Sequence, residues 1–137
     1  MKPTIFDTGA VVALLDRRDQ FHLWANNQSE NLFPPFITCE AVISEACFLL
    51  AKVKTGEERL LAMIESDILQ IDFSLSVEIS KIKSLMKKYA DVPMSFADAC
   101  LVRMSETSEN SVVFTLDSDF RIYRKNGKRK IDLIIPE

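Results

Sequence analysis

Two short apolar runs, each closed by an aspartate, limit what this chain can fold into more than any other feature. Thr4, Ile5 and Phe6 lead straight into Asp7, and far downstream Ser111 to Leu116 leads straight into Asp117. Neither run alternates apolar with polar residues, as a strand with one wet face does. Strands buried on both faces belong to parallel sheets covered by helices. The rest of the chain supplies the helices, over Gly9 to Asp16, Gln20 to Glu30, Cys39 to Val53, Glu57 to Ser66, Val77 to Tyr89 and Ser95 to Thr107. Phe36 to Thr38, after the Pro34-Pro35 break, and Ile68 to Phe73 read as further strands. Two more strand candidates, Arg121 to Tyr123 and Ile131 to Ile134, flank Asn126-Gly127. Strands alternating with helices predict an α/β fold of three layers, a mainly parallel central sheet flanked by helices. It should form one domain over residues 1–137.

Composition excludes several functions. An apolar fraction of 47% beside 27% charged residues supports a buried core and rules out disorder. No apolar stretch approaches the length of a membrane span, and the N-terminus lacks the apolar segment of a signal peptide, so a cytoplasmic protein is expected. Cys39, Cys47 and Cys100 sit among apolar residues with no C-x-x-C pair, which suits reduced, packed thiols. His22 is the only histidine. A zinc site of His and Cys is therefore not expected, and a nuclease using two histidines as acid and base is excluded. Any metal must be held by oxygen, which means Mg²⁺ or Mn²⁺.

Four carboxylates stand where solubility does not require them. In open parallel sheets the site lies beyond the carboxyl ends of the strands, and Asp7 and Asp117 both fall there. Ordinary roles exist for each: Asp7 as a helix N-cap, Asp117 as a turn residue. Glu45 is the only charge between Ala41 and Ala51, in a helix apolar enough to be expected buried on most sides. Asp98 fits the third position of a capping pair with Ser95, yet Phe96, Ala97, Ala99, Cys100 and Leu101 surround it in sequence. Such acids gathered without counterions would repel, and one or two divalent cations would remove the repulsion. That combination suits phosphoryl chemistry.

Phe6-Asp7-Thr8, Ile43-Ser44-Glu45, Ser95 to Ala99 around Asp98, and Phe114 to Phe120 around Asp117 and Asp119, in this order, resemble the PIN-domain ribonucleases. The likeness is strongest to the toxin components of VapBC-type toxin–antitoxin modules, and it spans the chain in length and order of elements. The resemblance implies a PIN-like parallel-sheet fold, Mg²⁺- or Mn²⁺-dependent endoribonuclease activity, a homodimer and a neutralising antitoxin partner. It maps catalysis and metal ligation onto Asp7, Glu45, Asp98 and Asp117, with Asp119 in a supporting metal role. Thr8 and Thr115 match positions where the family places a small hydroxyl beside the acids, able to orient them. Glu40 rivals Glu45, but its place near the helix start explains it without a site.

Charge is uneven along the chain. Residues 1–75 carry 6 basic and 11 acidic side chains, residues 76–137 carry 11 and 9. Arg121, Arg124, Lys125, Lys128, Arg129 and Lys130 crowd into one short stretch, either a solvated hairpin or an edge that contacts RNA phosphates. Arg124, Lys125, Lys128 and Lys130 are the candidate RNA contacts. Arg17 and Arg18 read as part of a solvated turn, with a substrate rim as the alternative. His22 and its neighbours Phe21 and Trp24 read as packing residues. Two other functions compete: a phosphoacceptor receiver domain, which expects adjacent acids after the first strand, and a PIN-like scaffold that binds RNA or protein without cutting.

Overall fold

A computed structural model describes residues 2–32 and 34–137. Its centre is a five-stranded sheet in the order β3-β2-β1-β4-β7, with every neighbouring pair parallel. The strands are β1 (Thr4–Phe6), β2 (Phe36–Thr38), β3 (Leu69–Ile71), β4 (Val112–Phe114) and, at the edge, β7 (Leu133–Ile134). Helices α1 (Thr8–Leu15) and α2 (His22–Ser29) join β1 to β2, and α3 (Glu40–Leu50) and α4 (Gly56–Glu65) join β2 to β3. Helices α5 (Leu75–Lys88) and α6 (Phe96–Thr107) then carry the chain back across to β4, on the other side of β1. Right-handed crossovers that step in opposite directions lay their helices on opposite faces. The three expected layers follow from this.

The strands are short, but the two central ones, β1 and β4, are wholly buried. Ile5, Phe6, Val113 and Phe114 are buried, and Phe6 meets Phe36 and Phe114 with ring centroids 5.1 and 5.2 Å apart. Trp24 sets its edge against Phe114 from α2, and His22 bridges the Ala13 carbonyl and the Asn26 side chain. Phe21 and Trp24 both pack against the core, and His22 ties α2 to the end of α1. Helix α6 is the most enclosed, with every residue from Ala97 to Val102 buried.

Two expectations need correction. Helix α3 is not buried on most sides: Val42, Ala46 and Leu50 form one inward stripe, while Phe48 is 81% exposed and Ser44 and Glu45 face solvent. An apolar composition here marks an uncovered face, not a central helix. In the basic tail, Ser118–Arg121 forms a 3₁₀ turn because Phe120 and Tyr123 are drawn inward, so the first hairpin arm starts only at β5 (Arg124–Lys125). Its partner is β6 (Arg129–Lys130), across Asn126 and Gly127 with φ of 54° and 74°. Paired positive φ values are what a tight two-stranded turn needs, and Asn-Gly supplies them. The apolar end of the chain instead joins the main sheet beside β4. The three cysteines are free thiols, and no helix among the described residues is long and apolar enough to cross a membrane.

Candidate active site

The sheet order reverses direction between β1 and β4, and crevices at such reversals, beyond the strand ends, are where open α/β sheets bind ligands. Register then sets the chemistry. Phe6 pairs with Phe114, and the Asp7 N–H donates to the Phe114 carbonyl at 3.0 Å, carrying the ladder one step past the strand. Asp7 therefore lies beside Thr115, whose hydroxyl donates to Asp7 Oδ2 at 2.5 Å. The Thr115 oxygen accepts the Asp117 N–H at 3.0 Å, and Asp117 Oδ1 accepts the Asp119 N–H at 2.9 Å.

Two helices bring the remaining acids to this crevice. Thr8 opens α1 and donates its hydroxyl to Glu45 Oε1 at 2.6 Å, tying α3 to the end of β1. Ser95 caps α6 by accepting the Asp98 N–H at 3.0 Å, which fixes the first turn. The Asp98 carboxylate is left to accept the Tyr123 hydroxyl at 2.8 Å. Asp7, Glu45, Asp98, Asp117 and Asp119 all line one cleft of about 450 Å³, with Thr8, Gly9, Pro93, Ser95 and Leu116 as its other walls. Glu40 does not reach it and lies beside Phe73, Leu75 and Phe96 in another hollow.

Among the described residues, no basic side chain lines the cleft. The cost shows on the two most enclosed acids. Burial pushes the Asp7 carboxyl up to about 6, with Asp98 and Asp117 adding repulsion and the hydrogen bonds from Thr115 and Thr8 opposing it. Burial also raises Asp98, again aided by Asp117 and Glu45 and opposed by the Tyr123 hydroxyl. An all-oxygen donor set carrying uncompensated negative charge matches Mg²⁺ or Mn²⁺. Among the described residues, no three His, Cys, Asp or Glu side chains stand close enough to hold an ion as they are.

Residues 4–126 match the PIN domain family profile. The chain belongs to the PIN-domain family. No curated protein matches it by sequence. Among solved structures, VapC20 of Mycobacterium tuberculosis, described as a sarcin–ricin loop cleaving toxin, superposes with a TM-score of 0.75 at 18% identity, over 85% of this chain and 91% of that one. The DNA-bound VapBC complex of Salmonella typhimurium gives a chain with a TM-score of 0.57 at 17% identity, over 98% of both. At such identities the likeness is one of fold.

Within this PIN domain the ordinary roles and the cleft coexist: Asp7 does cap α1, and Asp117 does cap the 3₁₀ turn. Tyr123 was not legible as a site residue. It sits among arginines in a segment that reads as a strand, and only its inward packing against Phe120 and Tyr89 turns its hydroxyl to Asp98. The basic hairpin is less available than its density suggests. Arg124 donates to the carbonyls of Arg121, Ile122 and Tyr123, and Lys125 is only 6% exposed. Lys128 and Lys130 are exposed.

Proposed function

We propose that this PIN domain is a Mg²⁺- or Mn²⁺-dependent endoribonuclease, the toxin of a type II toxin–antitoxin pair. Asp7, Glu45, Asp98 and Asp117 hold the cation with Asp119 in support, and the protein works in the cytoplasm as a homodimer silenced by an antitoxin. One observation carries the nuclease assignment: five carboxylates, from the ends of β1 and β4, from α3 and α6 and from the 3₁₀ turn, line a cleft with no basic side chain in its walls among the described residues. The likeness to VapC20 and to the VapBC complex supports the toxin role.

When bound, a divalent cation supplies an activated water and neutralises charge at the scissile phosphate. The chain's own groups prepare for this. Thr115 and the Thr8 N–H fix Asp7, the Thr8 hydroxyl fixes Glu45, and Tyr123 fixes Asp98. Each carboxylate oxygen has lone pairs beyond the hydrogen bond it accepts, so these bonds aim the acids without exhausting them.

Water as nucleophile leaves a 5′-phosphate and a 3′-hydroxyl. Labelled RNA incubated with the purified protein should be cut in Mn²⁺ or Mg²⁺, spared in EDTA, and spared by Asp98→Asn. Cleavage undiminished in EDTA, or 2′,3′-cyclic phosphate ends, overturns the assignment. RNA bound but never cut under any divalent cation supports the scaffold function instead.

A further inference from the structure

The first 75 residues carry only six basic side chains against eleven acidic ones, yet five of those six meet in one cleft: Arg17, Arg18, Lys52, Lys54 and Arg59. The cleft, about 550 Å³, forms where the end of α1 meets the loop between α3 and α4. Among the described residues Asp16 is the one acid in its walls, and Arg18 already answers it, with N–H donors 3.0 and 3.5 Å from Asp16 Oδ1. Arg59 donates to the Leu15 carbonyl at 3.3 Å, which pins it to the wall at the carbonyl end of α1. Among the described residues, Arg17, Lys52 and Lys54 pair with no carboxylate. Glu57 and Glu58 line the adjoining hollow, which shares Lys52 and Lys54 at its rim.

A solvated basic face is spread over convex surface. Here two segments of an acidic half-chain set five exposed basic side chains around one concavity, where an anion meets positive charge from several sides. The position matters as much as the charge. Helix α1 begins with Thr8 in the acidic cleft and ends with Leu15 in the basic one, and eight residues of helix span roughly 12 Å. A polyanion crossing the acidic cleft needs positive charge along its path on one side or the other.

We propose that the Arg17–Lys52–Lys54 cleft is a subsite for the RNA phosphate backbone, holding the strand beside the acidic cleft. RNA as occupant rests on the nuclease assignment above, whereas the charge arrangement does not. The test uses the full chain and a fluorescently labelled single-stranded RNA dodecamer, with anisotropy titrations over a series of KCl concentrations. Arg17→Gln/Lys52→Gln/Lys54→Gln should bind at least about tenfold more weakly. Its slope of log affinity against log salt should fall by about 2, as expected for losing three phosphate contacts on a single strand. The charge-keeping variant Arg17→Lys/Lys52→Arg/Lys54→Arg should bind like the parent. Unchanged affinity and slope in the glutamine variant overturn the proposal, and so does equal weakening in the charge-keeping one. Wild-type protein that binds the dodecamer through these residues but cuts no RNA overturns the nuclease assignment alone. Metal-dependent cutting with binding indifferent to them overturns the subsite alone.

Discussion

The Thr115 hydroxyl donates to Asp7 Oδ2 at 2.5 Å, joining the ends of two neighbouring parallel strands through their side chains as well as their backbones. The same oxygen accepts from the Asp117 backbone, so one buried threonine sets the position of two acids. Thr115→Val keeps the branched shape and removes both bonds. Its stability should drop by about 1–3 kcal/mol, the cost of stranding buried polar partners. Metal-stimulated cleavage should fall further than that loss explains, and thermal melts beside rate measurements separate the two.

Asp7 lets the sign of a pH effect be worked out. Its carboxyl moves from the ordinary 3.8 to about 6 in the fold, chiefly through burial. The folded state thus holds this proton more tightly than the unfolded chain. The contribution of Asp7 to metal-free stability is greatest when it is protonated and declines as pH rises through that window, by up to about 3 kcal/mol. Asp7→Asn can still cap α1 and escapes the penalty. In EDTA its melting temperature should exceed wild type near neutral pH and above, and the gap should close toward pH 4. A variant less stable than wild type throughout would show that the carboxylate is needed for the fold.

Tyr123→Phe removes the hydroxyl that holds Asp98. That bond opposes the upward push of burial on Asp98, so the acid limb of the pH–rate profile should move to higher pH. The fold should weaken by about 1 kcal/mol. A lower rate with an unmoved limb would assign Tyr123 to packing alone.

Glu45 is solvent-facing, and Glu45→Gln should leave the melting temperature nearly unchanged. Cleavage should fall by more than the roughly 10–100-fold typical of losing a group that only orients a ligand. Glu40→Gln, in the other hollow, should cut RNA as wild type does.

In the hairpin, Lys128→Gln/Lys130→Gln should lower the salt slope of RNA binding by about 1 and leave the fold intact. Arg124→Gln should act on stability instead, because its guanidinium closes three backbone carbonyls. Melts and anisotropy on the two variants distinguish these roles.

The parts of the site that sequence made legible were those tied to strand ends. Asp7 and Asp117 each follow a short, mostly apolar run, and the parallel register of those runs puts both acids at the sheet's reversal point. Asp98 was legible because Ser95 three residues earlier marks a helix start, which the fold directs into the same cleft. Glu45 lines the cleft, but not for the reason its sequence offers: the helix around it is apolar because one of its faces lies uncovered, not because it is buried. Local density in the tail does not reveal availability: Lys125 is buried and Arg124 donates to backbone carbonyls. The cleft of Arg17, Lys52 and Lys54 was invisible for the opposite reason. Its charges are scattered along an acidic stretch, and only the packing of α1 against α3 brings them together.

The outer neighbour of β4 comes from the last of the strands. Val113 donates to the Asp132 carbonyl at 2.9 Å and Thr115 to the Ile134 carbonyl at 3.0 Å. The side-chain bond that couples Asp7 to Thr115 spans 108 positions. Contacts between such distant positions pay their loop-closure entropy before they return any stability, so they close late. A growing chain that has emerged only as far as Ser111 already carries Asp7, Glu45 and Asp98, but β1 still has an open flank. The cleft is therefore organised only after the two halves of the sheet meet. Whatever the cleft does waits on the pairing of β4 with β1, which sets Asp7 beside Thr115 and Asp117.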